Sequence, residues 1–369
     1  MSKFNYLNIE EAYENIKHKL IKTPLITNDY INKILNSKVY FKLENLQITG
    51  SFKLRGATNK INKLSKKQKL AGVVAYSSGN HAQAVGYASM QENISAKIIM
   101  PKNAPKIKID NTRKYKAEVI LYDPVKEIRV EIGKKIARNE NRTIIKPYDD
   151  YDIIAGQGTL GMETAFQCKN LNIFPDQIIC PCGGGGLISG TAIALEHHFP
   201  GIQVWAAEPE NYDDTKRSLE AGKRLSNKTD NFSICDSIVT PIPGELTFPI
   251  LKKLLIGGKV VNEPQILDAM INAMQYLKLI VEPGGCVGFA AVLARILDPS
   301  DKISIVVLSG GNLSLEIVWT IIPSIIVLLI GLYSYNIYDR MGGMKELNHN
   351  HEMMSSNTEK IWAGISQTS

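Results

Sequence analysis

The chain has 369 residues, of which 44% are hydrophobic and 21% charged, enough to bury the cores of two domains and too apolar for a disordered chain. Its net charge of +7 hints at an acidic partner, but Lys63, Lys66, Lys67 and Lys69 lie on or beyond a helix end and Lys134-Lys135 interrupts another helix. With no aromatics interleaved, the pattern argues against nucleic acid and for a solvated surface. Five cysteines, an odd number with Cys180-x-Cys182 too close for a structural zinc pair, favour reduced thiols in a cytoplasmic setting, with Cys286 as buried packing.

No secretory signal opens the sequence, and a helical pattern runs from Ile9 to Leu20. Apolar runs at 39–43, 72–76, 96–100, 118–122, 177–181, 203–207 and 303–308, separated by helical stretches, predict an α/β protein with parallel sheets. Four of their junctions carry chemistry. Lys53, in Ser51-Phe52-Lys53-Leu54-Arg55-Gly56-Ala57, follows the run 39–43 and fronts a helical pattern through Leu54, Ala57, Ile61 and Leu64. Alone, such a lysine reads as a solvated charge.

Ser77-Ser78-Gly79-Asn80-His81-Ala82-Gln83 sits between the strand-like 72–76 and a helix through Val85, Ala88 and Met90, where amides and hydroxyls can meet a carboxylate. Cys182-Gly183-Gly184-Gly185-Gly186-Leu187 follows Gln177-Ile178-Ile179-Cys180 and precedes the helical Ser189 to Leu195. Strand, glycines, helix is the order of a phosphate site; a flexible turn is the competing reading. The G-x-G-x-x-G spacing and the Gly-Lys-Ser/Thr ending are both missing, which demotes dinucleotides and nucleoside triphosphates. Val306-Val307-Leu308-Ser309-Gly310-Gly311-Asn312 ends a strand in a serine and two glycines, a second anchor or a plain turn.

In this order and at these separations the segments resemble the serine/threonine dehydratase and serine racemase family of fold-type II pyridoxal-phosphate enzymes, over about residues 5–312. Gly156-Gln157-Gly158-Thr159, Pro243-Gly244-Glu245-Leu246-Thr247 and Glu282-Pro283-Gly284-Gly285 add to the likeness. The resemblance implies a large cofactor domain (1–50 and 151–312), a smaller mobile domain (51–150) and a homo-oligomer. It makes Lys53 the Schiff-base lysine with Phe52 beside the ring, and Gly183, Gly184, Gly185, Gly186 and Leu187 the phosphate cradle. Asn80 would bond the phenolic oxygen, and Ser309 would face the pyridine nitrogen as a neutral hydroxyl that favours elimination. Ser77, Ser78, Gly79, Asn80 and His81 would hold the substrate carboxylate.

Ser78 matches a serine that the resemblance makes a proton donor in racemases and that also occurs in dehydratases; the competing reading is a hydrogen bond in the carboxylate loop without proton transfer. Glu208-Pro209-Glu210-Asn211-Tyr212-Asp213-Asp214 resembles the family's divalent-metal segment, with ligands from Glu208, the Tyr212 carbonyl and Asp214, an oxygen set suited to Mg²⁺ or Ca²⁺. An acidic solvated loop is the alternative.

The tail departs from the family. No charged residue occurs from Ile317 to Tyr338, long enough to span a bilayer, and Trp319, Tyr333, Tyr335 and Tyr338 fall near its ends. Residues 313–340 therefore read as a candidate transmembrane helix, and Glu316 to Ile330 resembles the second membrane helix of cytochrome oxidase subunit II, without that family's copper motif. A fusion, a frameshift or a genuine anchor would each produce this. Residues 341–369 read as a disordered tail. The expectation is a pyridoxal-phosphate enzyme deaminating L-threonine and L-serine. Its rivals are an amino-acid racemase and a membrane-tethered binding protein whose disrupted C-terminal end has abolished catalysis.

Overall fold

Alternating burial along the strands explains the architecture. In this computed structural model Val39, Phe41 and Leu43 pack on one side of a sheet while Tyr40 packs on the other, and Val306 and Leu308 part from Ile305 and Val307 in the same way. A sheet whose residues are buried on both faces must be covered by helices on both. The structure describes residues 4–227 and 233–313, together with 327, 330, 331, 333–338 and 340.

Ten strands occur among the described residues: β1 (Leu25–Thr27), β2 (Lys38–Leu43), β3 (Val73–Tyr76), β4 (Ala96–Pro101), β5 (Glu118–Tyr122), β6 (Thr143–Ile144), β7 (Gln177–Pro181), β8 (Gln203–Pro209), β9 (Leu255–Val261) and β10 (Ile303–Leu308). Six form a sheet in the order β1-β2-β10-β7-β8-β9, parallel except for β1, and four form a wholly parallel sheet in the order β5-β4-β3-β6. All seven apolar runs are strands; β1, β6 and β9 are additional to them.

The helix Lys53–Asn62 packs between the two halves. Gly156, in the long helix Tyr151–Asn170, allows the approach: a Cβ there would lie 2.6 Å from the Arg55 carbonyl oxygen. The Gly156-Gln157-Gly158-Thr159 motif thus has a packing role. Two sequence expectations are corrected. The first helix ends at Ile16 and tightens into a 3₁₀ turn, Lys17–Lys19, short of Leu20. The helix Arg129–Glu140 runs unbroken through Lys134 and Lys135, whose straight side chains suit a helix interior.

Residues 1–313 form one compact unit and 314–369 a second. In the second, the described residues are helical and exposed. Most of the expected membrane span and all of the expected disordered tail lie outside the described residues; among those described, no helix is long and apolar enough to cross a membrane.

Candidate active site

Strand ends and helix starts converge on one cleft. Phe52, whose amide donates to the Ser309 carbonyl at 3.1 Å, and Gly311, whose amide donates to the Gly50 carbonyl at 2.9 Å, tie the segment before Lys53 to the segment after β10. Lys53 is the first residue of its helix and faces a cavity that also takes in Ser77, Ser78, Gly79, Asn80 and His81 and, opposite, Gly183, Gly184, Gly185, Gly186 and Leu187. Three motifs separated by up to 134 positions thereby share one space. Ser309, which follows β10, is buried and is not among the residues that line this cavity.

The Lys53 ammonium donates to the Pro147 carbonyl at 2.9 Å and lies 5.1 Å from the centre of the Phe52 ring. Burial lowers its pKa to about 8, against the opposing pull of the Glu282 carboxylate. A lysine shifted this way has a usable fraction of free amine near neutral pH, the form needed to attack a carbonyl and to take a proton.

The glycine loop is built for close approach. Gly185 has φ +87°, a left-handed conformation that a side chain resists, and caps the helix Gly186–His198. The Tyr148 ring lies against Gly184, where a Cβ would overlap it, and Thr247 donates to the Gly184 carbonyl at 2.7 Å. No side chain caps this helix start, and its glycines line the cavity, so the loop fits a phosphate.

Opposite, no side chain caps the helix Asn80–Gln91, which leaves its first amides for a ligand. His81 Nε2 bonds the Ile145 carbonyl at 2.9 Å, and burial, with the nearby Lys53 charge, pushes its pKa down to about 3. Its ring is therefore neutral, and what it offers a carboxylate is its backbone amide. Asn80 Nδ2 donates to Glu282 and Asn80 Oδ1 accepts from Asn312, leaving one amide hydrogen for a further acceptor.

Several wall residues were not singled out by sequence reasoning: Lys108, Arg129, Tyr148, Asp236 and Ser237. Glu282 entered only as the first letter of its motif. Burial, with the Asp236 charge adding to it, raises its carboxyl pKa to about 7. Lys108 Nζ meets Asp236 Oδ2 at 2.5 Å, joining the helix Lys106–Lys114 to the loop that roofs the glycines. Nothing in the sequence pairs these two isolated charges.

The expected metal ligands lie apart from the cavity wall. Glu208, in β8, accepts the amides of Thr215 and Lys216, both at 2.8 Å, and Asp214 Oδ1 accepts from Asn227 at 2.6 Å. Asp214 Oδ2 is buried without a hydrogen bond. Burial raises both carboxyls, Glu208 to about 8 with help from the Asp214 charge, and Asp214 to about 7. Two adjoining buried acids with an unsatisfied oxygen suit a hard cation. Among the described residues, no group of three or more His, Cys, Asp or Glu side chains could hold a metal. All five cysteines are buried and free.

A buried lysine with a depressed pKa that shares one cavity with a glycine loop suits an enzyme that works through an aldehyde-bearing, phosphate-carrying cofactor. Comparison supplies the family: residues 16–310 match the profile "Pyridoxal-phosphate dependent enzyme", and the chain belongs to that family, with a fold-type II architecture. It is 39% identical to a serine racemase of Arabidopsis thaliana over 318 residues, covering 85% of this chain and 94% of the relative. It is 36% identical to an L-threonine ammonia-lyase of Thermotoga maritima over 347 residues, covering 92% and 84%. The structure of maize serine racemase superposes with a TM-score of 0.82 at 34% identity, covering 88% of this chain and 98% of that one. The likeness of residues 316–330 to a cytochrome oxidase helix finds no support among these relatives.

Proposed function

We propose that this enzyme removes water from L-threonine and L-serine, giving 2-oxobutanoate or pyruvate and ammonia. The observation that carries this reading is the sharing of one cavity by Lys53, the 77–81 loop and the glycine loop. Bound there, pyridoxal phosphate supplies the carbonyl that takes up the amino group and the electron sink that acidifies the α-hydrogen. The rest falls to the chain. Amides of Gly183, Gly184, Gly185, Gly186 and Leu187 would hold the phosphate, with Phe52 beside the ring. The remaining Asn80 amide hydrogen would serve the ring oxygen, and Ser309 would offer a neutral hydroxyl to the ring nitrogen.

Ser77, Ser78, Gly79, Asn80 and His81 fix the substrate carboxylate. Lys53, released as a free amine, takes the α-hydrogen as a proton. Loss of the β-hydroxyl then competes with return of a proton to the α-carbon. Ser78, in the same cavity as Lys53, supports racemisation as a second activity if it donates from the other side.

Residues 51–150 act in this reading as a small mobile domain over the large domain formed by 1–50 and 151–312. Glu208, the Tyr212 carbonyl and Asp214 bind Mg²⁺ or Ca²⁺ and order the neighbouring loops. A cytoplasmic homo-oligomer is proposed on the family resemblance, with anchoring through 317–338 as the alternative; fractionation of cell extracts decides between them. The test of function is to supply purified holoenzyme with L-serine and L-threonine while following 2-oxo acid and D-amino acid together. Oxo acid as the main product supports the proposal, whereas D-amino acid with little oxo acid makes the enzyme a racemase.

A further inference from the structure

We infer that Arg55 is a positioning residue for the cofactor-bonding amine: clamped between Glu44 and Glu163, its guanidinium fixes the first turn of the helix that begins at Lys53, and so sets where the Lys53 amine stands in the cavity. This rests on the reading of Lys53 as the amine that bonds pyridoxal phosphate.

Arg55 is two residues along from Lys53, lies outside the cavity wall and is 1% exposed. No side chain caps the helix Lys53–Asn62, so the anchoring of its first turn falls to other contacts. Arg55 Nε and Nη2 donate to the two Glu44 carboxylate oxygens at 2.8 and 2.7 Å, and Nη2 and Nη1 donate to the two Glu163 oxygens at 3.1 and 3.3 Å. Glu44 opens the 3₁₀ turn Glu44–Leu46 directly after β2, while Glu163 belongs to the helix Tyr151–Asn170. Lys42, in β2, completes the cluster with its ammonium 2.5 Å from Glu163 Oε1. Gly56 brings the same turn against the long helix, since a Cβ there would lie 2.7 Å from Gln157 Nε2. The start of the Lys53 helix is thus fastened on one side to the end of a sheet strand and on the other to the long helix.

All four charged side chains are buried, two cations against two carboxylates. Burial pushes the Glu44 carboxyl up, but the Arg55 guanidinium, with help from Lys42, holds it below its ordinary pKa, so the pair is ionised. A buried ion pair adds little stability over well-packed apolar side chains, because desolvation offsets the attraction. What the planar fork supplies is direction: two parallel N–H···O bonds fix distance and angle together, which a point charge does not. Lys53 needs that direction. Its nitrogen must meet the aldehyde carbon at contact distance, with the aldehyde oxygen leaving as water, and misplacement by about 1 Å costs about 100-fold in rate.

The test uses cofactor-free protein and two ligands, pyridoxal 5′-phosphate and pyridoxine 5′-phosphate, which has the same ring and phosphate but no aldehyde. Arg55→Met leaves the Glu44 carboxylate buried without its guanidinium and is expected to lower the melting temperature by about 5 °C or more. Adding Glu44→Gln leaves Lys42 and Glu163 as a balanced pair and keeps an acceptor for the Thr23 hydroxyl, which donates to Glu44 Oε1 at 2.6 Å; most of the lost melting temperature should return. In this double variant the affinity for pyridoxine phosphate should stay within about 2-fold of wild type, while visible absorbance with pyridoxal phosphate develops about 100-fold more slowly. Arg55→Lys, which keeps the charge and loses the fork, should melt near wild type and bond the cofactor about 10-fold more slowly. A wild-type rate in either of these variants, or equal losses with the two ligands, overturns the positioning role and leaves the cluster purely structural. Wild-type protein that bonds the cofactor through a lysine other than Lys53 overturns the reading of Lys53, and the inference with it.

Discussion

Asn80 Nδ2 donates to Glu282 Oε1 at 2.5 Å, and Asn80 Oδ1 accepts from Asn312 Nδ2 at 2.7 Å. One side-chain amide thereby joins the start of the helix Asn80–Gln91, the start of the helix Pro283–Leu293 and the loop after β10. The buried acid in this junction carries a pH signature. Its pKa rises from the ordinary 4.5 to about 7, so the folded chain retains a proton that the unfolded chain releases. Stability from this group is therefore greatest below pH 4.5 and declines as pH rises to 7, by an amount on the order of 3 kcal/mol. Glu282→Gln should remove that decline. Thermal unfolding of cofactor-free protein between pH 5 and 8 should show the variant gaining on wild type as pH increases; a constant difference would refute the assignment.

Gly184 is expected to be intolerant because the Tyr148 ring occupies the place of a Cβ. Gly184→Ala should weaken pyridoxal-phosphate binding about 10-fold or more, for a steric cost of about 1–3 kcal/mol. Titration of cofactor absorbance measures it, and Tyr148→Ala in the same chain should recover part of the loss. Full affinity in the single variant would mean that the loop shifts freely.

Ser78 separates the two activities. Ser78→Ala should suppress racemisation about 100-fold while elimination falls by less than about 3-fold, since only the former needs a donor opposite Lys53. Equal losses in the two assays would reduce Ser78 to a hydrogen bond in the carboxylate loop.

The Glu208–Asp214 pair predicts a cation effect with a definite pH sense. Both folded pKa values are raised, to about 8 and about 7, so without a cation these groups cost stability increasingly from about pH 4 to pH 8. Mg²⁺ or Ca²⁺ should raise the melting temperature more at pH 8 than at pH 6, and chelator should reverse it. An Asp214→Asn variant that responds to the ions like wild type would place the cation elsewhere.

How much of this was legible depends on how local each signal is. The runs 39–43 and 303–308 are alternating or continuous apolar segments, and they became neighbouring strands of the large sheet. β9 escaped because Gly257 and Gly258 interrupt its apolar run; in the fold, Gly258 lies where a Cβ would be 2.6 Å from Lys216 Cβ, so glycine serves close packing. β6 spans only two residues, too few for periodicity to register. The lysine and glycine motifs stood out because each is contiguous. Tyr148, Ser237 and the Lys108–Asp236 pair did not, because their significance exists only once residues 128 positions apart meet across the cleft. His81 shows the converse: a residue read as part of the carboxylate loop directs its ring to the Ile145 carbonyl.

The most direct test is to find which amine bonds the cofactor. Holoenzyme reduced with borohydride and digested should carry the pyridoxyl label on the peptide containing Lys53, and Lys53→Ala should lose both the label and the visible absorbance. Label on any other lysine, Lys108 of the same cavity included, or no label at all, would contradict the account.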